Sequence, residues 1–422
     1  MRTIIARLLL AVGLCIGCAA CGSAPQSAPV IILVPWDQAT DPAEYNAFMA
    51  VIDQFEKTGI QVTVQTSRAE SQQLDADLAV GDPPDIADFS SPAAVKQYLH
   101  GGLRPLKGFQ SRLQDYAEPW RGLAMLGTGT VYSIPVKVDI QSLLWYPASA
   151  VKTPPATFTE LQSLSRQSGT PVCLGLASGA ASGWPGAKWI EDILASMYGA
   201  GAYKLWLAGK LPWYSPEVTS AWEKWAALIG NGSAVPGRSQ GALETAFNHA
   251  MNKSPCILKH GALITTGLKS TRGYSFARFP SAVGGTSPLI VSGDFMGLFT
   301  TNPNATKLLA YLVSSQAQDI WVHQPDGDAF SANDKVPVTE YPLGVQQRIA
   351  RLLLHPGAGT TICFAADDLM VPDMAAAFWQ AVLDYVNNTS SLTSLLAGLQ
   401  QTQEGAGPSP VGSHACSGGG AS

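Results

Sequence analysis

Three cysteines stand three residues apart near the start of the chain, at Cys15, Cys18 and Cys21. Two thiolates in a C-x-x-C spacing can bind one metal ion or form a redox-active pair. The surrounding residues favour a different chemistry. Arg2 and Arg7 precede the uncharged apolar run LLLAVGLCIGCAA (8–20). This is the layout of a secretory signal peptide, and it is too short for a membrane span.

The end of this run predicts where the leader is cut. The sequence AACGS (19–23) resembles a bacterial lipobox, in which the cysteine after two small residues is lipidated and becomes the mature N-terminus. We therefore expect a signal peptide over 1–20 and lipidation of Cys21, with Cys18 as the alternative. Residues 21–29 would form a flexible tether that holds the protein on the outer face of the cytoplasmic membrane.

Four cysteines remain in the body of the chain: Cys173, Cys256, Cys363 and Cys416. An even number outside the cytoplasm suggests disulfides, and four cysteines allow three connectivities. We favour Cys173–Cys256 and Cys363–Cys416, because each of these pairs is expected to lie within one domain. Buried free thiols are the alternative for some of them.

Other reactive residues do not form a catalytic pattern. The sequence contains no G-x-S-x-G elbow and no H-E-x-x-H motif, and its six histidines are scattered. Ser149 and Lys152 fit S-x-x-K, but no K-T-G follows. We therefore expect no catalysis, no metal and no cofactor. A secreted hydrolase and a tethered adhesin or signalling protein remain alternatives.

Length and charge limit the class of protein. A body of nearly 400 residues is more than one core usually holds, which predicts two domains. The formal charge of the full chain is −5, and loss of two arginines with the leader makes it −7. The sequence has no Lys/Arg run and no second apolar stretch of spanning length, so we expect no nucleic-acid partner.

The first hundred residues alternate between strand and helix patterns. Strands are indicated by VIILVPW (30–36), by the alternating GIQVTVQT (59–66) and by PDIADF (84–89). Apolar residues at helical spacing lie between them. This β-α-β-α-β order predicts a largely parallel sheet with right-handed crossovers.

Candidate binding residues follow from this sheet. Ligands bind at the carboxyl ends of parallel strands. Trp36 and Asp37 stand at the end of the first strand, and Phe89 and Ser90 stand at the end of the third.

Later segments continue the α/β pattern. Residues 132–147 predict two strands joined near Asp139, and a strand over 288–299 contains Asp294. Further elements are predicted as a strand near 256–264 and helical stretches over 185–229, 304–323 and 374–386. The tail EGAGPSPVGSHACSGGGAS is of low complexity, and we expect it to be disordered unless Cys416 holds it.

Three segments, in order, resemble a known family: VGDPPDIADFSSPAAVKQYLHGGLRPL (80–106), YSIPVKVDIQSLLWYPASAVKTPPATFTEL (132–161) and LMVPDMAAAFWQAVLDYVNNTSSLTSLLAGLQ (369–400). They are similar to extracellular solute-binding proteins of ABC importers, the group that includes maltose-binding proteins. The resemblance covers about 30–400. It implies a two-lobed α/β periplasmic-binding fold, with a multi-strand hinge and a central ligand cleft.

The resemblance also implies domain boundaries. The first lobe would comprise 30–139 and 293–333, and the second lobe would comprise 140–292 and 334–403. Residues 404–422 would be the tail.

Ligand contacts can be assigned from the same resemblance. Trp379, in AAFWQAV, matches the stacking tryptophan of the family, although its apolar neighbours also allow a place in the core. Phe89 falls at another aromatic position, Asp139 at an acidic one, and Trp184 on a loop that faces the ligand or caps a helix. The full set of ligand candidates is Trp36, Asp37, Phe89, Ser90, Asp139, Trp184, Asp294 and Trp379.

Two departures show that the site is not a copy of a maltose site. Where maltose binders have an aromatic residue, HGALITT (260–266) has Leu263, and Ser90, Ser91 and Pro92 replace the polar residue after the first aromatic.

The function implied by the resemblance is carbohydrate capture and delivery to a membrane permease driven by an ATPase, by a monomeric protein. The alternative ligand is a glycerophosphodiester or another polar non-sugar solute. A phosphate would favour arginines and helix N-termini at the cleft, whereas a sugar needs stacked aromatics and carboxylates. The candidates favour sugar.

The leader assignment is directly testable. Changing Cys21→Ala should abolish lipidation and release the protein from membranes, because the acylated thiol is the only anchor predicted. Membrane fractionation and mass spectrometry of the mature N-terminus measure this. A variant that is still lipid-modified and retained would contradict the choice of Cys21, and Cys18→Ala is the matched control.

Overall fold

The structure, a computed structural model, describes residues 28–39, 41–67, 69–167, 172, 174–229, 234–239, 258–262, 273–282, 287–324 and 329–417. The signal peptide, Cys21, Cys173, Cys256 and Leu263 lie outside these residues.

Strands and helices alternate along most of the described chain. The strands are β1 (Val30–Val34), β2 (Val62–Thr66), β3 (Ile86–Phe89), β4 (Ser133–Ile140), β5 (Leu143–Pro147), β6 (Leu174–Ala177), β7 (Ala234–Ser239), β8 (Lys259–His260), β9 (Tyr274–Arg278), β10 (Leu289–Leu298) and β11 (Ile362–Phe364). The helices are α1 (Pro42–Glu56), α2 (Glu70–Val80), α3 (Pro92–Gln97), α4 (Trp120–Leu123), α5 (Phe158–Gln167), α6 (Trp184–Leu207), α7 (Pro216–Ile229), α8 (Pro303–Leu312), α9 (Ser315–Val322), α10 (Gly344–Leu354), α11 (Ala366–Leu369), α12 (Pro372–Asn387) and α13 (Leu392–Ala406).

The largest sheet has six strands in the order β11-β10-β3-β1-β2, with β4 paired to β10. The strand β1 is parallel to both β2 and β3, and Ile32 faces Val64 on one side and Ile86 on the other. Buried Val and Ile side chains on β1 explain its continuous apolar run, since both faces of this strand are covered. The predicted parallel β-α-β-α-β unit is confirmed.

Strand β10 connects several parts of this sheet. It is parallel to β11 at its start and antiparallel to β4 and β3 further along. The two strands predicted over 132–147 are confirmed as β4 and β5, and their junction lies two residues beyond Asp139. Asp139 lies inside β4, opposite Ser292, and the chain leaves the sheet at Gln141 and Ser142, because pairing with β10 extends through Ile140.

A second group of elements surrounds two smaller sheets. One has the order β8-β5-β9, and the other pairs β6 with β7. We call the six-stranded sheet with its packed helices the first lobe, and these sheets with α5, α6, α7, α12 and α13 the second lobe. Strand β11, inside a range assigned to the second lobe from the sequence, pairs in the first-lobe sheet.

The helical stretch predicted over 185–229 is two helices. It is interrupted at 208–215, and α6 has a further break at Gly199, whose φ is 75°. The tryptophans of this stretch are mostly buried and pack edge-to-face. Trp206 contacts Trp213 at 4.8 Å between ring centroids, and Trp213 contacts Phe378 of α12 at 5.0 Å. Aromatic burial therefore fastens α12 to the second lobe.

The C-terminal segment 407–417 is ordered by contacts with both lobes. Phe364 N–H donates to Ala415 O at 2.6 Å, and Ser417 N–H donates to Ile362 O at 2.7 Å, so the segment lies along β11. Lys96 Nζ of the first lobe donates to Pro410 O at 2.6 Å, and Ser409 N–H donates to Leu207 O of α6, in the second lobe, at 3.1 Å. A disulfide joins Cys363 to Cys416. This is the pairing that the sequence favours, and it is the condition under which the tail was expected to be held.

Among the described helices, none combines the length and the apolar composition that crossing a bilayer requires.

Removing the bond between β11 and the tail should destabilise the fold. The double variant Cys363→Ser/Cys416→Ser opens a loop spanning a sequence separation of 53 residues, which should lower the free energy of unfolding by about 2–4 kcal/mol. Urea denaturation measures this loss of stability, and Cys173 and Cys256 are left unchanged in the variant. Alkylation of oxidised, denatured wild-type protein should leave Cys363 and Cys416 unmodified. Labelling of all four body cysteines would contradict the disulfide.

Candidate functional site

Polar side chains collect where the two lobes meet. The short helix α11 lies between α3 of the first lobe and α6 of the second. Ser91 Oγ donates to Asp368 O at 2.6 Å from the first-lobe side, and Lys188 of α6 bonds Asp367 and Asp368 from the other side. We call this region the interlobe junction. It comprises Trp36, Glu44, Asp88, Lys137 and Asp294 on the first lobe, and Lys188, Glu191, Asp367, Asp368 and Trp379 on the other side.

Two of the predicted aromatic contacts lie in the first-lobe core. Trp36 is 4% exposed and packs against Phe48 and Trp321, with ring centroids 5.4 and 5.5 Å away. Phe89 is also 4% exposed and packs against Tyr98 at 5.5 Å. The structure therefore assigns both rings a clear packing role.

The polar residues next to these rings are more accessible. Asp37 is half-buried, and its Oδ1 accepts the N–H of Ala39 at 2.9 Å in the turn that leads to α1. Ser90 is exposed after β3.

A buried lysine connects Trp36 to the sheet. Lys137 Nζ lies 3.6 Å from Glu44 Oε2 and 5.8 Å from the centroid of the Trp36 ring. Glu44 Oε1 in turn accepts the indole N–H of Trp321 at 2.8 Å. This lysine therefore places a positive charge next to the Trp36 ring, just beyond the end of β1.

Two predicted carboxylates lie on neighbouring positions of the same sheet. Asp294 is opposite Lys137 in the β10–β4 register, directly before a bulge, and Asp139 is opposite Ser292. Positions two apart on a strand share a face, so Asp139, Lys137 and Asp294 point to one side. Both aspartates are half-buried.

Asp88, near the end of β3, is fully buried on the first-lobe side, as is Glu44. Burial raises the pKa of its carboxyl well above 3.8, and Asp294 and then Glu70 raise it further, although Lys137 acts in the opposite direction. A carboxyl in this environment keeps its proton to a higher pH, and it can donate a hydrogen bond as well as accept one.

The second half of the junction is organised by Lys188. Its ammonium group is buried and bonds Asp367, and it also donates to Asp368 Oδ2 at 2.9 Å. Burial alone would favour the neutral amine, but Asp367, Asp368 and Glu191 outweigh it and raise the pKa of Lys188. The side chain therefore stays charged, with its charge matched locally.

Burial also acts on the carboxylates of this half. It raises the pKa of Asp368 to about 7, against the opposing effect of Lys188, and Asp367 and Asp294 contribute to the rise. Burial and then Asp367 raise the pKa of Glu191. Since Asp294 affects both Asp88 and Asp368, it connects the two halves of the junction electrostatically.

Trp379 lies beside the residue that precedes Trp184. Gly183, with φ of 103°, lies so close to the backbone of Trp379 that an added Cβ would be 2.1 Å from Trp379 O. Trp184 follows immediately as the first residue of α6. Both tryptophans are half-buried, and Trp379 Nε1 donates to Asp367 Oδ2 at 2.8 Å. Of the predicted aromatic contacts, these two retain exposed surface.

Several junction residues were not among the sequence candidates: Asp88, Lys137, Lys188, Glu191, Asp367 and Asp368. A signal was nevertheless available. The segment WPGAKWIEDIL (184–194) is almost entirely apolar apart from Lys188, Glu191 and Asp192. Charges in a helix that is otherwise apolar indicate buried, partnered groups.

A further buried hydrogen-bond network lies where the chain leaves the six-stranded sheet after β4. Ser142 Oγ accepts the N–H of Ile290 at 2.6 Å and donates to Asp192 Oδ1 at 2.5 Å, while His260 Nε2 lies 2.5 Å from Asp192 Oδ2. The histidine stacks on Trp189 at 4.6 Å. In a nucleophilic triad the histidine stands between serine and acid, whereas here the acid is central. We interpret this network as a structural link between β10, β8 and α6.

A cavity of about 320 Å³ lies elsewhere in the first lobe. It is lined by Ile31, Leu33, Gln65, Thr66, Ser67, Gln73, Asp77, Asp82, Pro83 and Pro84. It contains none of the residues of the interlobe junction.

Sequence comparison identifies the class of protein. Residues 39–319 match the profile of the bacterial extracellular solute-binding proteins, and the chain belongs to this family. The two-lobed α/β fold agrees with that assignment.

Individual relatives are similar over most of their length. The alpha-glucosides-binding periplasmic protein AglE of Rhizobium meliloti (strain 1021) is 26% identical over 404 residues, 88% of this chain and 86% of the relative. The osmoprotective compounds-binding protein GgtB of Synechocystis sp. (strain ATCC 27184 / PCC 6803 / Kazusa) is 27% identical over 354 residues, covering 78% and 83%.

Solved structures agree with the fold. The bacterial solute receptor AcbH, described with an exclusive preference for b-D-galactopyranose, has a TM-score of 0.74 at 18% identity, covering 89% of this chain and 97% of that one. A chitin oligosaccharide binding protein has a TM-score of 0.73 at 16% identity, covering 90% and 99%.

The buried acid Asp88 predicts a pH-dependent stability difference. Its pKa is raised in the folded state, so its stabilising contribution is present at low pH and is lost as the pH rises through the folded-state pKa. Asp88→Asn removes this pH-dependent loss of stability, because asparagine has nearly the same shape as aspartate but does not ionise. The variant should therefore gain stability relative to wild type as the pH rises above about 4, where an ordinary aspartate ionises in the unfolded chain.

Thermal unfolding of both proteins at increasing pH measures the difference. Asp82→Asn, on the exposed turn before β3, is the matched surface control. A difference between Asp88→Asn and wild type that does not change with pH would contradict the raised pKa.

Proposed function

We propose that the protein is the lipid-anchored substrate-binding component of an ABC importer, and that it captures a carbohydrate between its two lobes. The observation that carries this proposal is Trp379, a half-buried ring whose N–H is fixed by Asp367 at the interlobe junction. An aromatic face covers the apolar C–H face of a sugar, and surrounding polar groups pair its hydroxyls.

The charge of the junction favours a neutral ligand. Five carboxyl groups, those of Asp88, Glu191, Asp294, Asp367 and Asp368, accompany Lys188 and the Glu44-paired Lys137. Both lysines are already paired with carboxylates, so an anionic solute such as a glycerophosphodiester would meet no unmatched positive charge among these residues. Sugar hydroxyls, in contrast, donate to carboxylates and accept from lysines.

Relatives give further support for a carbohydrate. AglE is named for alpha-glucosides, and the similar folds include receptors named for b-D-galactopyranose and chitin oligosaccharide. GgtB is named for osmoprotective compounds, so a polar osmoprotectant is the second candidate ligand. Neither class requires catalysis, a metal or a cofactor.

The mechanism is capture by closure. A ligand that contacts both lobes binds the closed state more tightly than the open state, and this differential affinity shifts the population toward closure. The closed monomer then docks on the membrane permease, while the lipidated N-terminus keeps it near the membrane. The side chains bind and orient the solute, and no covalent bond changes.

A thermal-shift panel identifies the ligand class. The soluble body is tested with maltose, trehalose, galactose, chitobiose, glycine betaine and glycerophosphocholine. A ligand at about one hundred times its Kd should stabilise the folded state by about 2.7 kcal/mol. Stabilisation by a sugar supports the proposal. Stabilisation by glycine betaine or glycerophosphocholine alone would replace it with the corresponding alternative.

Trp379→Ala separates a stacking role from a core role. Loss of a stacked ring should weaken sugar binding by about 1–3 kcal/mol, whereas truncation of a core tryptophan should cost about 3–5 kcal/mol of stability. We expect the first pattern. Calorimetric affinity and the urea midpoint of the same variant measure both quantities.

Trp222→Ala, a fully buried tryptophan of α7, is the core control. A collapsed midpoint for Trp379→Ala, with normal sugar binding by the folded fraction, would place Trp379 in the core and remove the central assignment.

A further inference from the structure

The ring of Trp379 is held at two points. Its backbone packs against Gly183, where any side chain would clash, and its single donor, the indole N–H, bonds Asp367 Oδ2 at 2.8 Å. The first contact fixes where the residue stands, and the second fixes the direction of the ring edge. The rest of the ring is half-buried.

The acceptor in this bond is itself unable to turn away. Asp367 is 1% exposed, and its other oxygen, Oδ1, bonds Lys188 Nζ and accepts the N–H of Asp368 at 2.9 Å. Rotation of the carboxylate would leave a buried ammonium group without this partner, which is costly.

The helix that carries Asp367 is fixed on both sides. Glu191 of α6 accepts the N–H groups of Ala366 and Asp367 at 3.0 and 2.9 Å. From the first lobe, Ser91 Oγ donates to Asp368 O at 2.6 Å. The helix α11 is therefore tied to α6 and to the loop after β3, so Asp367 does not follow movements of the ring.

We infer that Asp367 is a positioning residue for ligand binding: its carboxylate, clamped by Lys188, sets the plane of the Trp379 ring before the ligand arrives. This inference rests on the proposed function, in which Trp379 stacks on the solute. A ring that is already in its binding orientation loses less rotational freedom when the ligand binds, so affinity increases without a direct contact from Asp367.

A purely structural role for the same carboxylate is the competing explanation. Partnering a buried lysine stabilises the fold whether or not the tryptophan is oriented. The two roles differ in one respect. A positioning role requires the indole N–H, whereas a structural role does not.

The first measurement needs no ligand. Protein labelled with 5-fluorotryptophan contains 11 tryptophans, and the Trp379 fluorine resonance is assigned by its loss in Trp379→Phe. Asp367→Asn should shift or broaden this resonance. Asp368→Asn is the matched control, because Asp368 shares Lys188 but its side chain has no bond to the indole, and it should leave the resonance in place.

The second measurement is a double-mutant cycle with the sugar that gives the largest shift in the panel. Trp379→Phe keeps a ring face and the Lys188–Asp367 pair but removes the N–H. We expect Asp367→Asn and Trp379→Phe each to weaken sugar affinity about tenfold, and the double variant to be no weaker than either one. Trp379→Phe tests the same bond even if Asp367→Asn does not fold.

An unchanged Trp379 resonance in Asp367→Asn, or losses of affinity that add in the double variant, would overturn the positioning role. Failure of the proposed function looks different. Wild-type protein would then bind no sugar of the panel, or Trp379→Ala would bind sugar normally, and the role in ligand binding would fall with it whatever the fluorine spectrum.

Discussion

One buried ammonium group constrains the region where the two lobes meet. Lys188 Nζ lies inside the protein on a helix that is otherwise almost entirely apolar, and removing this charge from water is costly unless carboxylates surround it. Asp367 and Asp368 provide them. This requirement brings α11 against α6, and it places Asp367 within 2.8 Å of the Trp379 indole nitrogen. The position of the half-buried Trp379 is therefore a consequence of neutralising Lys188.

The same constraint explains why so many carboxyl groups lie at the junction. Asp294 contributes to raising the pKa of Asp368, beside Lys188, and also that of the buried Asp88. Burial raises the pKa of several of these acids, so some of them hold a proton where an exposed aspartate would not. A site of this kind offers both donors and acceptors to uncharged hydroxyl groups. Where the chain leaves the six-stranded sheet after β4, Ser142 and His260 both bond Asp192 of α6, and Ser142 also bonds the backbone of β10. These bonds fix the connection between the sheet and α6.

The sequence predicted parts of this arrangement well and others poorly. The β1–β3 unit was predictable because β1 is a continuous apolar run, β2 alternates apolar and polar residues, and helix patterns lie between the strands. The two strands over 132–147 were also predictable, but their junction moved by two residues, because the end of β4 depends on how far it pairs with β10. The stretch 185–229 was predicted as one helical region, but a break at 208–215 divides it. Trp36 and Phe89 stand at strand ends as expected, yet their rings pack against Phe48 and Tyr98 in the core.

The sequence by itself determined the β1–β3 unit, the family resemblance, and the candidates Trp184 and Trp379, since these follow from local periodicity and from motifs a few residues long. Only the tertiary structure decided which charges became partners. Lys188 and Asp367 are 179 residues apart, and Asp88 and Asp294 lie on separate strands. Whether such groups are exposed and independent, or buried and coupled, depends on contacts distant in the chain, because desolvation and short-range Coulomb energy arise only when the folded chain brings them together.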